Sequence, residues 1–213
     1  MDRIIEQSGS VWNEAADIWL QGGWAMIGIA IIALVLFGSV ANTWLSLRRK
    51  GFTSVNERMW RRWITHPEER TGPIGEILDY VMAARSLKES RARFDDVRCS
   101  EVKPFSRDLK FIQACVSAAP LVGLLGTVTG MLTTFSALSS GSGGDKTMQL
   151  IASGISEALV TTMTGLVIAL PGLFLQYQLS RLYQRYMAFM SHLESVCTQD
   201  LYRRLEMAAR KAA

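Results

Sequence analysis

The sequence predicts an all-α integral membrane protein with three transmembrane helices, the last two long, extending into the cytoplasm and assembled as an oligomeric bundle. Three observations predict it. No Asp, Glu, Lys or Arg occurs between Asp17 and Arg48, between Lys110 and Asp145, or, Glu157 excepted, between Lys146 and Arg181. Each stretch exceeds the ~18 residues expected of a spanning helix. The apolar runs are continuous rather than alternating, which excludes a barrel.

The elements follow in order. Residues 1–22 read as an amphipathic segment on the outer face of the membrane, because Ile4, Trp12, Ala15, Ile18 and Trp19 recur at helical spacing. Residues 23–47 form the first span, with Trp24 and Trp44 near its ends, where indoles favour the membrane interfaces. Its upstream segment is acidic rather than basic and no A-x-A site follows, so it is expected to be a retained anchor. Residues 48–108 form a cytoplasmic helical loop with helices around 55–64 and 74–94. Thr71, Gly72 and Pro73 punctuate it, Pro73 being suited to a helix start. Such a loop is too short for a core of its own and should pack with neighbours. Residues 109–139 are the second span, 140–147 an outer turn and 148–178 the third span, where Pro171 removes a backbone hydrogen bond. Residues 179–213 are a cytoplasmic helical tail, with Leu179, Leu182, Tyr186, Phe189, Leu193 and Val196 forming a heptad-like stripe.

Basic residues set the orientation. Arg48, Arg49 and Lys50 follow the first span, and the tail carries Arg181, Arg185, Arg203, Arg204, Arg210 and Lys211. The positive-inside bias then puts the N-terminus outside, and the long loop and the C-terminus inside. The net charge of +4 is accordingly an insertion signal rather than a sign of nucleic-acid binding, since no aromatic-basic platform accompanies it. Cys99, Cys115 and Cys197 are dispersed and His66 and His192 isolated, so neither a disulfide framework nor a metal site is indicated. No cofactor and no enzymatic constellation is expected.

Two patterns distinguish the last two spans. Ala119, Gly123, Gly126 and Gly130 step by four, three and four, a small-residue face that lets helices approach closely, with Thr127 and Thr134 on or beside it. Ser153, Glu157, Thr161 and Thr164 form a polar stripe on the third span, which must face protein or water and is expected to line an ion path. Thr162 lies ~140° around from Glu157 and is placed to meet a different helix. An ionised carboxylate in mid-membrane costs at least ~2.5 kcal/mol, so Glu157 is either part of an ion path or a neutral hydrogen-bonding group between helices. One protomer with three spans encloses no pathway, so a channel requires several copies or a partner.

The segments G-L-L-G-T-V at 123–128 and I-S-E-A-L-V-T-T-M-T-G-L-V-I-A-L-P at 155–171 resemble the signature helices of the ExbB/TolQ/MotA proton-channel family, and those of ExbB most. The resemblance implies a homopentamer in the bacterial inner membrane, surrounding an ExbD-like single-span partner whose membrane Asp carries protons. It further implies a TonB-like protein energised by the proton motive force for transport across the outer membrane. By motif, the family's polar triad falls on Thr127, Glu157 and Thr162. Thr129 stands where an aromatic often follows G-T-V, and the inner loop is short for the family. A TolQ-like role in envelope integrity and a non-conducting membrane scaffold are the alternatives. A secondary transporter finds no inverted repeat to support it.

Overall fold

In the computed structural model, which describes residues 19, 22–52, 55–139 and 144–212, no strand occurs among the described residues. The helices are α1 (Ala25–Arg49), α2 (Glu57–Thr65), α3 (Gly72–Met82), α4 (Leu87–Val97), α5 (Lys103–Ser139) and α6 (Asp145–Ala212). A 3₁₀ turn at Pro67–Glu69 precedes α3, and a π turn at Arg98–Val102 joins α4 to α5. Three helical runs, Ala25–Arg49, Leu87–Ser139 and Asp145–Lys211, are long and apolar enough to cross a membrane. Pro120 and Pro171 sit inside α5 and α6 without ending them, as membrane helices tolerate where neighbours re-satisfy the freed carbonyls. The surface helix expected over residues 4–19 lies, apart from Trp19, outside the described residues, as do residues 140–143 of the expected turn.

The chain divides into two compact units. The first comprises the described parts of residues 1–39 and 112–175, that is, the start of α1 with apolar stretches of α5 and α6. Gly172 of α6 admits Leu36 of α1 and Val116 of α5, whose side chains would stand 2.8 and 3.1 Å from an added Cβ. Gly28 of α1 faces Val122 of α5. Only 28% of the residues in the most apolar window of each spanning run are buried. Leu34, Leu132, Phe135, Leu159 and Leu170 are left outward, for acyl chains or further protein.

The second unit comprises the described parts of residues 40–111 and 176–213. Its core is aromatic. Tyr186 meets Phe52 at 5.0 Å between ring centroids and Phe105 at 6.4 Å edge-on, while Phe189 and His192 each meet Trp60 edge-on. Of the heptad-like stripe, α6 buries Leu179, Tyr186 and Leu193, at most 1% exposed, while Leu182, Phe189 and Val196 are half-buried, and Met190 and Cys197 complete the seam. The loop thus gains its core by packing on the end of α1 and the last part of α6. Ion pairs Lys50–Glu101, Arg70–Asp79 at 2.5 Å and Arg98–Glu194 at 2.5 Å join its elements. Burial pushes the Tyr186 hydroxyl up to about 12, with the charge of Glu101 adding to it, and the Cys197 thiol likewise up to about 12.

The loop departs from expectation at one point: the helix expected over 74–94 is two, broken at residues 83–86. Ser86 caps α4 by accepting from the Glu89 amide at 3.1 Å, and the Glu89 carboxylate accepts from the Arg85 amide at 2.9 Å. This is a variant of the capping box in which the N3 glutamate reaches one residue further back, to Arg85 rather than Ser86, and its two bonds favour starting a new helix. Pro73 stands in the first turn of α3, as expected, behind Gly72 at φ +72°.

Candidate ion-path site

The site is built on two interlocked small-residue faces. Gly154, Ala158, Thr161 and Gly165 of α6 repeat the four, three, four spacing of Ala119, Gly123, Gly126 and Gly130 on α5, and all eight are buried. The faces meet antiparallel. A Cβ at Gly130 would lie 2.6 Å from the Gly154 carbonyl oxygen, one at Gly165 2.8 Å from that of Ala119, and one at Gly123 2.9 Å from that of Thr161. At Gly126 it would run into the Thr161 side chain. Backbone touches backbone, and no methyl group fits. The α6 half of this pairing was not singled out from sequence, although its small-residue spacing is the same signal.

This pairing distributes the polar residues. Thr161, expected on the path, is fully buried between the helices, with its hydroxyl donating to the Glu157 and Ala158 carbonyls at 3.0 Å each. Thr162 is half-buried, and its hydroxyl donates across the pair to the Gly123 carbonyl at 3.1 Å. Thr127 donates to its own helix, to the Leu124 carbonyl at 2.6 Å, and Thr164 to the Val160 carbonyl at 2.8 Å. Ser153 is exposed. Thr127 follows Gly126, which meets Thr161, so Thr127, Glu157 and Thr162 occupy neighbouring turns of one helix pair.

Glu157 is half-buried, and its carboxyl rests against Gly23 in the turn that opens α1. None of the ion pairs among the described residues includes it. What the arrangement offers chemically is one titratable carboxyl, flanked by hydroxyls that are already donating to carbonyls and keep lone pairs free to accept. His66 and His192 lie elsewhere, beside Thr65 and Glu57.

The model of the MotA/TolQ/ExbB proton channel family matches residues 76–192, more than half of the chain and all of the α5–α6 pairing. The chain belongs to this family. It is similar to an ExbB-like biopolymer transport protein of Synechocystis (ExbB-like 3), 27% identical over 173 residues that cover 76% of this chain and 82% of that protein. It is also similar to the biopolymer transport protein ExbB of Aquifex aeolicus, 32% identical over 48% of this chain and 79% of that protein. The Tol-Pal system protein TolQ of Haemophilus influenzae is 36% identical over 80 residues, 38% of this chain and 34% of its own length. Family membership and three span-capable helices together make this a multi-pass membrane protein.

Proposed function

We propose that this chain is the channel-forming subunit of a proton-driven motor, a homopentamer in the bacterial inner membrane without enzymatic activity. Glu157, Thr127 and Thr162 carry its ion path, while Thr161 cements the α5–α6 pair. The observation that carries the reading is Glu157 itself: a half-buried carboxyl in an apolar helix, outside every ion pair among the described residues, on a helix pair packed backbone to backbone. Pairing five copies would bring the carboxyls around one lumen. An ExbD-like single-span protein with a membrane Asp would pass protons with them, and a TonB-like protein would take up the work for outer-membrane transport. The periplasmic N-terminus and cytoplasmic C-terminus follow from the Lys and Arg distribution.

A TolQ-like role in envelope integrity is the second reading, favoured by the 36% identity to TolQ over 80 residues. Affinity capture of the full chain in mild detergent, with identification of what co-purifies, tests both. A single-span protein with one membrane Asp and a complex mass of five copies is expected, and its periplasmic domain separates the two roles. Recovery of monomers or dimers alone contradicts the pore, and labelling of a cysteine placed at Glu89 from outside intact cells contradicts the orientation.

A further inference from the structure

We propose that Gly23 is a positioning residue for Glu157. The missing side chain at the opening turn of α1 forms the recess in which the carboxyl rests. The first span thereby sets where the carboxyl of the third points. This rests on the reading of Glu157 as the ion-path group.

The geometry makes two separate demands on position 23. Its φ is +59°, in the left-handed region that side chains disfavour. A Cβ there would also stand 2.7 Å from Glu157 Cδ and 3.4 Å from Cγ, and closer still to Oε1. No rotation of the new side chain relieves this, because the Cβ itself is the obstacle. The turn is held in place from both sides: the Gly23 and Trp24 carbonyls accept from the Met26 and Ile27 amides at 3.3 and 3.1 Å. Ala25 and Met26 are buried in the unit, at 0% and 3% exposure. Another glycine of the same helix shows the contrast, since Gly38 has nothing within 4 Å of an added Cβ. The opening turn of a helix also presents N–H groups without intrahelical acceptors, a favourable neighbour for a carboxyl oxygen. Gly23 lies outside the segment matched by the family model, which begins at residue 76.

The test uses the full chain assembled with its single-span partner in sealed lipid vesicles, read by proton flux and by the infrared carboxyl band that Glu157→Gln removes. Gly23→Ala meets both demands badly, whereas Gly23→Asn tolerates the left-handed backbone but keeps the obstructing Cβ. Both are expected to shift the Glu157 band and to cut flux about 10- to 100-fold, the scale on which an ångström of misplacement acts. Gly38→Ala should leave both unchanged. Adding Glu157→Asp to Gly23→Ala withdraws the carboxyl by one methylene and should recover flux relative to Gly23→Ala alone. Gly23→Asn with wild-type band and flux would overturn the proposal. Full flux in Glu157→Gln would instead remove the ion-path reading, and the band shift in Gly23→Asn would still decide the positioning. Should the Gly23 variants fail to assemble, Trp24→Cys, at an exposed neighbour that leaves Gly23 in place, combined with Glu157→Cys in a chain with Cys99, Cys115 and Cys197 changed to Ser, should be bridged within one protomer by a short bifunctional thiol reagent. Absence of bridging would contradict the contact.

Discussion

In the first unit α5 and α6 meet backbone to backbone through small residues, as where Gly130 faces the Gly154 carbonyl. In the second they are between rings and between opposite charges, Phe52 and Phe105 around Tyr186 and Arg98 on Glu194. The difference follows from the solvent. Lipid tails are as apolar as Leu, so burying apolar side chains gives membrane helices no drive to associate, and close packing of small residues takes over. In water the same burial is worth about 25 cal/mol per Å², and large aromatic side chains become the efficient choice. Two glutamates on α6 show it residue by residue. Glu194 has a guanidinium at 2.5 Å, whereas Glu157 has a glycine. A charge in water can be used for structure, and one in the membrane is retained for another reason.

The largest effect expected from this contrast is in the second unit. Trp60, at 2% exposure, touches Phe189 and His192, and Trp60→Ala should destabilise that unit by about 3–5 kcal/mol. Thermal or denaturant unfolding of the detergent-solubilised chain measures it, and an unchanged midpoint would break the comparison. In the first unit the sensitive change is an addition. Gly165→Ala forces a methyl against the Ala119 carbonyl and should cost about 1–3 kcal/mol, read as loss of assembled complex. A neutral result would mean that the α5–α6 faces are not in contact.

A smaller effect concerns pH. The Tyr186 hydroxyl titrates at about 12 when folded, against an ordinary 10.0, so the unfolded chain releases its proton first as pH rises. Stability from this group is full below pH 10 and falls through about pH 12. Tyr186→Phe should flatten that alkaline loss; because the buried Tyr186 hydroxyl has no hydrogen-bond partner among the described residues, it should cost little at neutral pH. A steep loss between pH 10 and 12 that persists unchanged in Tyr186→Phe would assign it to another group, Cys197 being the first to examine.

The two units were not equally legible. The spans could be read from the absence of charge alone, since a bilayer tolerates few ionisable groups, and the Leu179–Leu193 stripe could be read from its spacing. The break before α4 was also written locally, in Ser86 and Glu89, but the mixed charges along residues 74–94 obscured it. The Gly154–Gly165 face needed only the test already applied to α5. What no local pattern could carry is the placement of Glu157 against Gly23. Those residues lie far apart in sequence, share no periodicity and meet only once three helices have packed. Thr161 illustrates the same limit: a polar stripe of i, i+4, i+8 spacing marks a face, but which helix covers that face is a tertiary matter.

The most direct test of the proposed role is proton flux through the purified complex in sealed vesicles, comparing wild type with Glu157→Ala and Glu157→Gln at matched assembly. Gln keeps the size and hydrogen bonding of a protonated Glu but has no proton to release. A proton-relay role predicts that Gln fails almost as completely as Ala while both variants still bind the single-span partner. Retention of flux by Glu157→Gln would contradict it and leave Glu157 as a neutral hydrogen-bonding group between helices.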